Sequence, residues 1–106
     1  MSGNSGDFSI GSKVWPGTSK LLEEMGELQQ VLGKLLGSAG EANHWDGSDL
    51  RKRLVEEIGD LKAAIEFFQS KNMSVAEQYD VETRRDTKFV LFQTWHGEPV
   101  KLPRKK

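Results

Sequence analysis

Carboxylate side chains recur at matched positions in two short stretches of the chain. Lys20–Leu28 reads KLLEEMGEL, and 33 residues later Arg53–Leu61 reads RLVEEIGDL. Each copy holds two carboxylates at spacing i, i+3, which places both on one helix face within reach of a single ion. Two such faces turned toward each other would gather four carboxylates. The pairs are Glu24 with Glu27, and Glu57 with Asp60.

A glutamate on a helix is usually only solvated, but these four carboxylates border apolar stripes. Glu24 and Glu57 lie one turn from leucines of their own helices, and their partners lie beside the same stripes. Carboxylates at the edge of a core repel one another and lose hydration, which costs several kcal/mol unless it is compensated. A bound cation is the simplest compensation. A ligand set of oxygens without nitrogen suits Mg²⁺ or Mn²⁺ and argues against zinc.

A glycine separates the carboxylates in each copy, Gly26 in the first and Gly59 in the second. Glycine inside a helix costs about 1 kcal/mol relative to alanine, so both positions need an explanation. Close packing of helices is one explanation, and room for a bulky anion or a hydrated metal is another. The sequence leaves both open.

Two helices of similar length must position these carboxylates. Apolar residues in each step by three and four, as a packed helix requires. Thr18 or Ser19 can cap the first helix, predicted over about residues 18–36, and Asp46 or Ser48 the second, over about 49–70. A glycine-rich connection of roughly ten residues favours an antiparallel hairpin. The predicted stripes are Leu21, Met25, Leu28, Leu32 and Leu35, then Leu54, Ile58, Leu61, Ile65 and Phe68.

A third helix is predicted to start near Val75, because Ser74 and Glu77 form a capping box. Residues 89–95 (FVLFQTW) are apolar enough for a strand, but a lone strand has no partner, so we predict a helix to about Trp95. The predicted fold is all-α, an antiparallel helical hairpin plus a third helix. A chain of 106 residues cannot easily bury three apolar stripes. We therefore expect dimerisation to complete a four-helix-type bundle.

The sequence predicts one folded domain with a terminal segment on either side of it. Residues 1–17 are predicted to form a flexible N-terminal arm, with docking of Phe8, Ile10 and Trp15 on the body left open. Residues 18–98 are predicted to form a single all-α domain and residues 99–106 a basic C-terminal tail. The N-terminus lacks the pattern of a secretory signal, and no apolar run approaches the roughly 20 residues that span a bilayer. With no cysteine and a net charge of −1, the chain has no thiolate metal site and no general attraction to nucleic acid or membranes. We expect a cytoplasmic protein.

The double carboxylate motif resembles that of the MazG-like all-α nucleoside triphosphate pyrophosphohydrolases, which are related to dimeric dUTPases and dCTPases. The resemblance depends on E-E-x-x-E and E-E-x-x-D on a helical hairpin and covers about residues 18–70. Residues 88–96 (KFVLFQTWH) are more loosely similar to the end of some small members. The resemblance implies a dimer or tetramer that hydrolyses a nucleoside triphosphate between the α- and β-phosphates, releasing a nucleoside monophosphate and pyrophosphate. The matching positions are Glu23, Glu24, Glu27, Glu56, Glu57 and Asp60.

The resemblance also implies roles for these residues. Mg²⁺ would be held by the four paired carboxylates, Glu24, Glu27, Glu57 and Asp60. Glu23 or Glu56 would position or deprotonate the attacking water, although each lies about 100° round the helix from its metal-binding neighbour. Ion pairs of these two glutamates with Lys20 or Lys52 are an equally good interpretation.

Substrate contacts are predicted outside the repeat. The family uses basic residues of the third helix for phosphate, and Arg84, Arg85 and Lys88 are the candidates here, with nearby acidic residues as alternative partners. Trp15 and Trp45 lie beside the ends of the hairpin and are candidates for stacking on a nucleobase.

Other functional classes have less support. A di-iron carboxylate bundle needs two Glu-x-x-His motifs, and that spacing occurs once, at Glu41 and His44 in the glycine-rich connection. A glycine-rich phosphate loop and a GxSxG elbow are both missing from the sequence. The serious alternative is a non-catalytic helical nucleotide-binding or protein-interaction module of the same fold. The four carboxylates that border the apolar stripes favour the enzyme over this non-catalytic alternative.

Overall fold

A computed structural model of the protein describes residues 7–41 and 49–101. These residues form three helices and no strand, which confirms the all-α prediction and the helical conformation of residues 89–95. Trp45, the proposed caps Asp46 and Ser48, residues 1–6 of the arm and residues 102–106 of the tail lie outside the described residues. The helices are α1 (Thr18–Gly37), α2 (Leu50–Asn72) and α3 (Val75–His96).

The chain divides between Asn72 and Met73 into two compact units. The first unit contains α1 and α2, and the second contains α3. In the parts of the chain that the structure describes, no helix combines the length and the apolar character that crossing a membrane requires.

Helices α1 and α2 pack against each other in antiparallel orientation. The side-chain amide of Asn72, at the end of α2, donates a hydrogen bond of 2.9 Å to the carbonyl of Pro16, just before α1. Further along, Glu24 of α1 lies beside Asp60 of α2. Moving forward along α1 therefore moves backward along α2, and this brings the two copies of the repeat face to face.

The buried face of each helix is rotated relative to the predicted stripe. Met25 and Leu32 are 48% and 43% exposed, whereas Val31 is fully buried. Ile58 and Ile65 of α2 are likewise exposed, at the positions that match Met25 and Leu32 in the repeat. The inward positions still step by three and four, but they pass through one glutamate in each helix. They are Leu21, Glu24, Leu28, Val31 and Leu35, and Leu50, Leu54, Glu57, Leu61 and Ala64.

The start of α1 differs from the prediction. Gly17 occupies the N-cap in a left-handed conformation (φ 90°), and no side chain caps the helix. Thr18 and Ser19 lie inside α1, where their hydroxyls donate to the carbonyls of Trp15 and Phe8. At the start of α2, the carboxylate of Asp49 accepts a hydrogen bond from the Lys52 amide, as an N-cap does.

Residues 7–17 fold against the two helices of the first unit. The Trp15 ring stacks on Phe68 with centroids 6.0 Å apart and planes 11° from parallel. A Cβ on Gly17 would lie 2.9 Å from the Phe67 ring, so the close approach and the positive φ both require glycine. Together with the bond between Asn72 and Pro16, these contacts hold this segment beside the end of α2.

The second unit is a capped helix. The Ser74 hydroxyl accepts a hydrogen bond from the Glu77 amide, and the Glu77 carboxylate accepts one from the Ser74 amide. These two bonds confirm the predicted capping box. Gly97 ends the helix with φ 80°. The side chain of Gln93 is buried and accepts a hydrogen bond from the Lys101 amide.

Candidate metal centre

Three carboxylates meet between α1 and α2. One oxygen from each lies within 4.8 Å of the other two, and the residues are Glu24, Glu57 and Asp60. They come together because the spacing i, i+3 places Glu57 and Asp60 on one face of α2, and the antiparallel packing brings Glu24 opposite Asp60. The distance is short enough for a single cation to bind all three side chains.

Two of these carboxylates have a buried oxygen that lacks a partner. Oε1 of Glu24 and Oε1 of Glu57 are inaccessible to solvent and accept no hydrogen bond from any described residue. An unpaired buried acceptor carries a free-energy penalty, and native proteins rarely keep one without a reason. A cation between the two helices would supply the missing partner for both oxygens.

The surroundings of these glutamates oppose their ionisation. Loss of hydration raises the pKa of Glu24 above its ordinary value, and the charges of Glu27 and Asp60 raise it further. The pKa of Glu57 is also raised, first by loss of hydration and then by Glu27 and Asp60. Without a cation, the centre therefore holds its negative charge at a cost.

Glu27 adjoins Glu57. It is half-buried, and its charge and its hydrogen bonding to Glu57 both raise the pKa of Glu57. Three of the four predicted ligands thus share one cluster, and the fourth adjoins it. That these residues bind a metal stays a prediction.

The two outer glutamates of the repeat lie apart from the carboxylate cluster. Glu23 is exposed and its carboxylate lies 2.7 Å from the Lys20 ammonium, so it makes the ion pair that is the alternative to catalysis. That hydrogen bond, followed by the charge of Glu23, raises the pKa of Lys20. Glu56 is also exposed. A catalytic role for either residue stays a prediction.

The two repeat glycines face away from the carboxylates within one chain. Gly26 follows Glu24 by two residues, and Gly59 has the same relation to Glu57, which on a helix is about 200° of rotation. A Cβ added at either glycine would meet no atom within 4 Å. The glycines therefore do not make room beside the carboxylates of their own chain.

The predicted phosphate contacts all lie on α3, in the second unit. Arg85 is near Glu82 and Asp86, at 3.5 Å and 3.8 Å, and the Lys88 ammonium lies over the Phe92 ring. Arg84 is exposed. Their contact with phosphate remains a prediction from the resemblance.

A groove of about 290 Å³ adjoins the carboxylates and was not predicted from the sequence. Its charged lining residues are Lys20, Glu24 and Asp60. Its apolar part is formed by Ile10, Ala63, Ala64 and Phe67. Trp15, the predicted base contact, is about half exposed and packs on Phe68, and neither residue is part of the groove lining. The phase of Ala63 and Phe67, one and two turns beyond Asp60, was the available signal in α2. The sequence allowed Ile10 to dock on the helices, but it did not indicate a position beside the carboxylates.

Comparison with known proteins adds no assignment: no family model, no curated protein and no solved structure matches this chain. A function can therefore be inferred only from the geometry of the carboxylates and of the groove beside them.

Proposed function

We propose that this protein is a Mg²⁺-dependent nucleoside triphosphate pyrophosphohydrolase of the MazG-like type. It would cleave a (d)NTP between the α- and β-phosphates and release a nucleoside monophosphate and pyrophosphate. The observation that carries the proposal is the pair of buried, unpartnered oxygens on Glu24 and Glu57 within a cluster of carboxylates. A protein whose helices served only for packing would gain nothing from two such oxygens between α1 and α2.

The donor set fits a hard divalent cation. Glu24, Glu57 and Asp60 would hold Mg²⁺ (or Mn²⁺), with Glu27 beside them, and all the donor atoms are carboxylate oxygens. Such an ion neutralises charge on phosphoryl oxygens and lowers the pKa of a bound water. Binding would also remove the repulsion among the carboxylates.

The chain's own groups supply the remaining functions. Lys20 lines the groove and can contact a phosphate with its ammonium group. Glu23 orients Lys20 through their ion pair. Glu56, or Glu23 when released from that pair, is our candidate for positioning the attacking water, and Arg84, Arg85 and Lys88 are candidates for the distal phosphates.

Self-association is the second part of the proposal. A set of apolar side chains on the first unit is exposed on each helix, on the other side of the buried stripe from Glu27 and Asp60. We define this set as the apolar flank. A second copy of the hairpin packed there would complete a four-helix-type bundle. The apolar flank comprises Leu22, Met25, Leu32, Leu36, Val55, Ile58 and Ile65.

The test is the double variant Glu57→Gln with Asp60→Asn. It keeps the shape of both side chains but removes two charges from the cluster, so we expect pyrophosphate release with Mg²⁺ to be abolished. Folding and self-association should remain as in the parent, since the charges repel one another without metal. Release is measured across standard and damaged (d)NTPs.

Glu66→Gln is the matched control, because Glu66 is an exposed glutamate of α2 outside the repeat. It should hydrolyse nucleotides at the parental rate. Parental activity in the double variant would refute the metal centre. If neither Mg²⁺ nor any nucleoside triphosphate shifts the thermal stability of the parent, the non-catalytic interaction module is favoured instead.

A further inference from the structure

The groove beside the carboxylates combines two chemical characters. Its lining includes an ammonium and two carboxylates, from Lys20, Glu24 and Asp60, and its other lining residues are apolar. A ligand that fills it must therefore combine a charged group with an uncharged, apolar face. Its volume of about 290 Å³ lies at the small end of the roughly 300–1,000 Å³ of small-molecule sites. A single nucleobase ring system fits a groove of this volume.

The N-terminal segment contributes one wall of the groove. Ile10, which precedes both helices, lines the groove together with Ala63 and Phe67 of α2. The segment is held on either side of Ile10. On one side, the Phe8 carbonyl accepts hydrogen bonds from the amide and hydroxyl of Ser19. On the other, Trp15 stacks on Phe68, which keeps the wall in place.

Phe67 has its position set by the same segment. Gly17 lies so close to the Phe67 ring that no side chain fits between them. The ring is thereby confined between the start of α1 and the groove. A confined aromatic ring beside an exposed aliphatic side chain provides a surface on which a flat ring can pack.

We infer that residues 8–17 and α2 form the nucleobase site of this protein, with Ile10 and Phe67 packing against the base. Lys20 and the Mg²⁺ proposed for the carboxylate cluster would receive the phosphates. The inference depends on the proposed function for the identity of the ligand. It assigns to Ile10 and Phe67 the role that the sequence suggested for Trp15. Trp15 is a positioning residue, since it holds the segment that carries Ile10.

The chemistry of the wall defines the class of substrate. The apolar part of the groove offers no side-chain hydrogen bond that could read the edge of a base. Sites without such partners discriminate weakly between rings of equal size, whereas sites that bond a particular group reject its absence strongly. The expected substrates are nucleotides chosen by ring size and not by hydrogen-bonding pattern. Cytosine and uracil nucleotides should then be used with kcat/KM values within roughly tenfold of each other.

The test replaces Ile10 by Trp, which fills the groove, and by Ala, which removes the wall. Ile10 is 47% exposed, so neither change should prevent folding. Val14→Trp and Val14→Ala are the matched controls, because Val14 is a similarly exposed aliphatic residue of the same segment outside the groove. Both Ile10 variants should raise KM for dCTP and dUTP by roughly tenfold. The kcat should change little, and affinity for Mn²⁺ alone should be parental.

Calorimetric titration with a non-hydrolysable α,β-methylene dNTP in the presence of Mg²⁺ separates the two proposals. If the parent binds the analogue but releases no pyrophosphate from any (d)NTP, the proposed function falls, and the inference holds only if Ile10→Trp weakens binding. Parental KM and binding in both Ile10 variants would overturn the inference while leaving hydrolysis intact. Equal losses in the Val14 variants would also overturn it, since the effect would then belong to the segment as a whole.

Discussion

At the scale of single residues, the decisive feature is where the two half-buried glutamates of the repeat lie. Glu24 and Glu57 occupy inward positions of their helices that an apolar residue would normally fill. Each has one buried oxygen without a partner, and each has a raised pKa. An arrangement that weakens the apo protein in this way is typical of a binding site, where function and local stability conflict.

The raised pKa values predict how stability depends on pH. Above the ordinary value of 4.5, the folded protein still holds protons on Glu24 and Glu57 that the unfolded chain has released. The free energy of unfolding therefore falls as pH rises from about 4.5 through the raised pKa values. Replacing Glu24 by Gln removes one such group. Without divalent ions, Glu24→Gln should gain stability relative to the parent as pH rises through this window.

Urea unfolding at a series of pH values in a chelating buffer measures this difference. Glu66→Gln should show no such gain, because its side chain is exposed. If the free energies of unfolding of Glu24→Gln and the parent differed by the same amount at every pH, the raised pKa of Glu24 would be contradicted. In the parent, added Mg²⁺ should bind more tightly as pH rises through the same window, because its ligands must be ionised.

At the scale of the helices, the rotation of the buried face explains why the carboxylates meet. The most hydrophobic stripe predicted from the sequence passes through Met25 and Ile58, both of which are exposed. The helices turn instead so that Val31 and Ala64 pack inward. The same rotation places the side chains of Glu24 and Glu57 between the two helices. Packing of two surfaces, and not the hydrophobicity of each helix alone, decides this rotation.

The glycines of the repeat can be tested at this scale. Gly26 lies on the outer face of α1, with open space around the position of a Cβ. Gly26→Ala should raise the free energy of unfolding by roughly 0.5–1 kcal/mol, because alanine favours the helix and meets no clash. Gly33→Ala is the matched control in the same helix and in equally open space. Chemical denaturation measures both. A loss of stability confined to Gly26→Ala would show that a second molecule approaches the helix there.

At the scale of the whole molecule, the chain leaves much apolar surface uncovered. Val31 and Leu50 are the large side chains that are fully buried among the described residues, whereas Leu36 is 84% exposed. Extended exposed apolar surface is typical of an interaction site. The apolar flank lies away from the carboxylates, so self-association there would leave the groove open.

A charge on the apolar flank should therefore disrupt self-association. Ile58→Glu places a carboxylate on a side chain that is 41% exposed, which the single chain tolerates but a dimer interface would bury. We expect the dimer dissociation constant to rise by roughly tenfold or more, which corresponds to a loss of at least about 1.4 kcal/mol of association free energy. Sedimentation equilibrium measures it. The control Val75→Glu, at an exposed residue of the second unit, should associate as the parent does. A monomeric parent would refute the dimer.

The sequence by itself determined the elements of this protein and the chemistry they carry. Apolar residues every three or four positions specify helices whatever surrounds them, and the Ser74 capping box specifies where α3 begins. The repeat also identified the acidic residues that meet between α1 and α2, because a spacing of three residues fixes a common helix face. These properties depend on neighbours along the chain, which a sequence displays.

Only the tertiary structure decided how the helices are rotated and what lies beside the carboxylates. The choice between Met25 and Val31 as the buried residue depends on the opposing helix, and both fit a helical period equally well. Ile10 reaches the groove only because Gly17 and Trp15 fold the N-terminal segment back onto α2. Such contacts join residues fifty or more positions apart, as Pro16 and Asn72 do. A local sequence pattern does not indicate contacts between such distant residues, so the groove could be identified only in the tertiary structure.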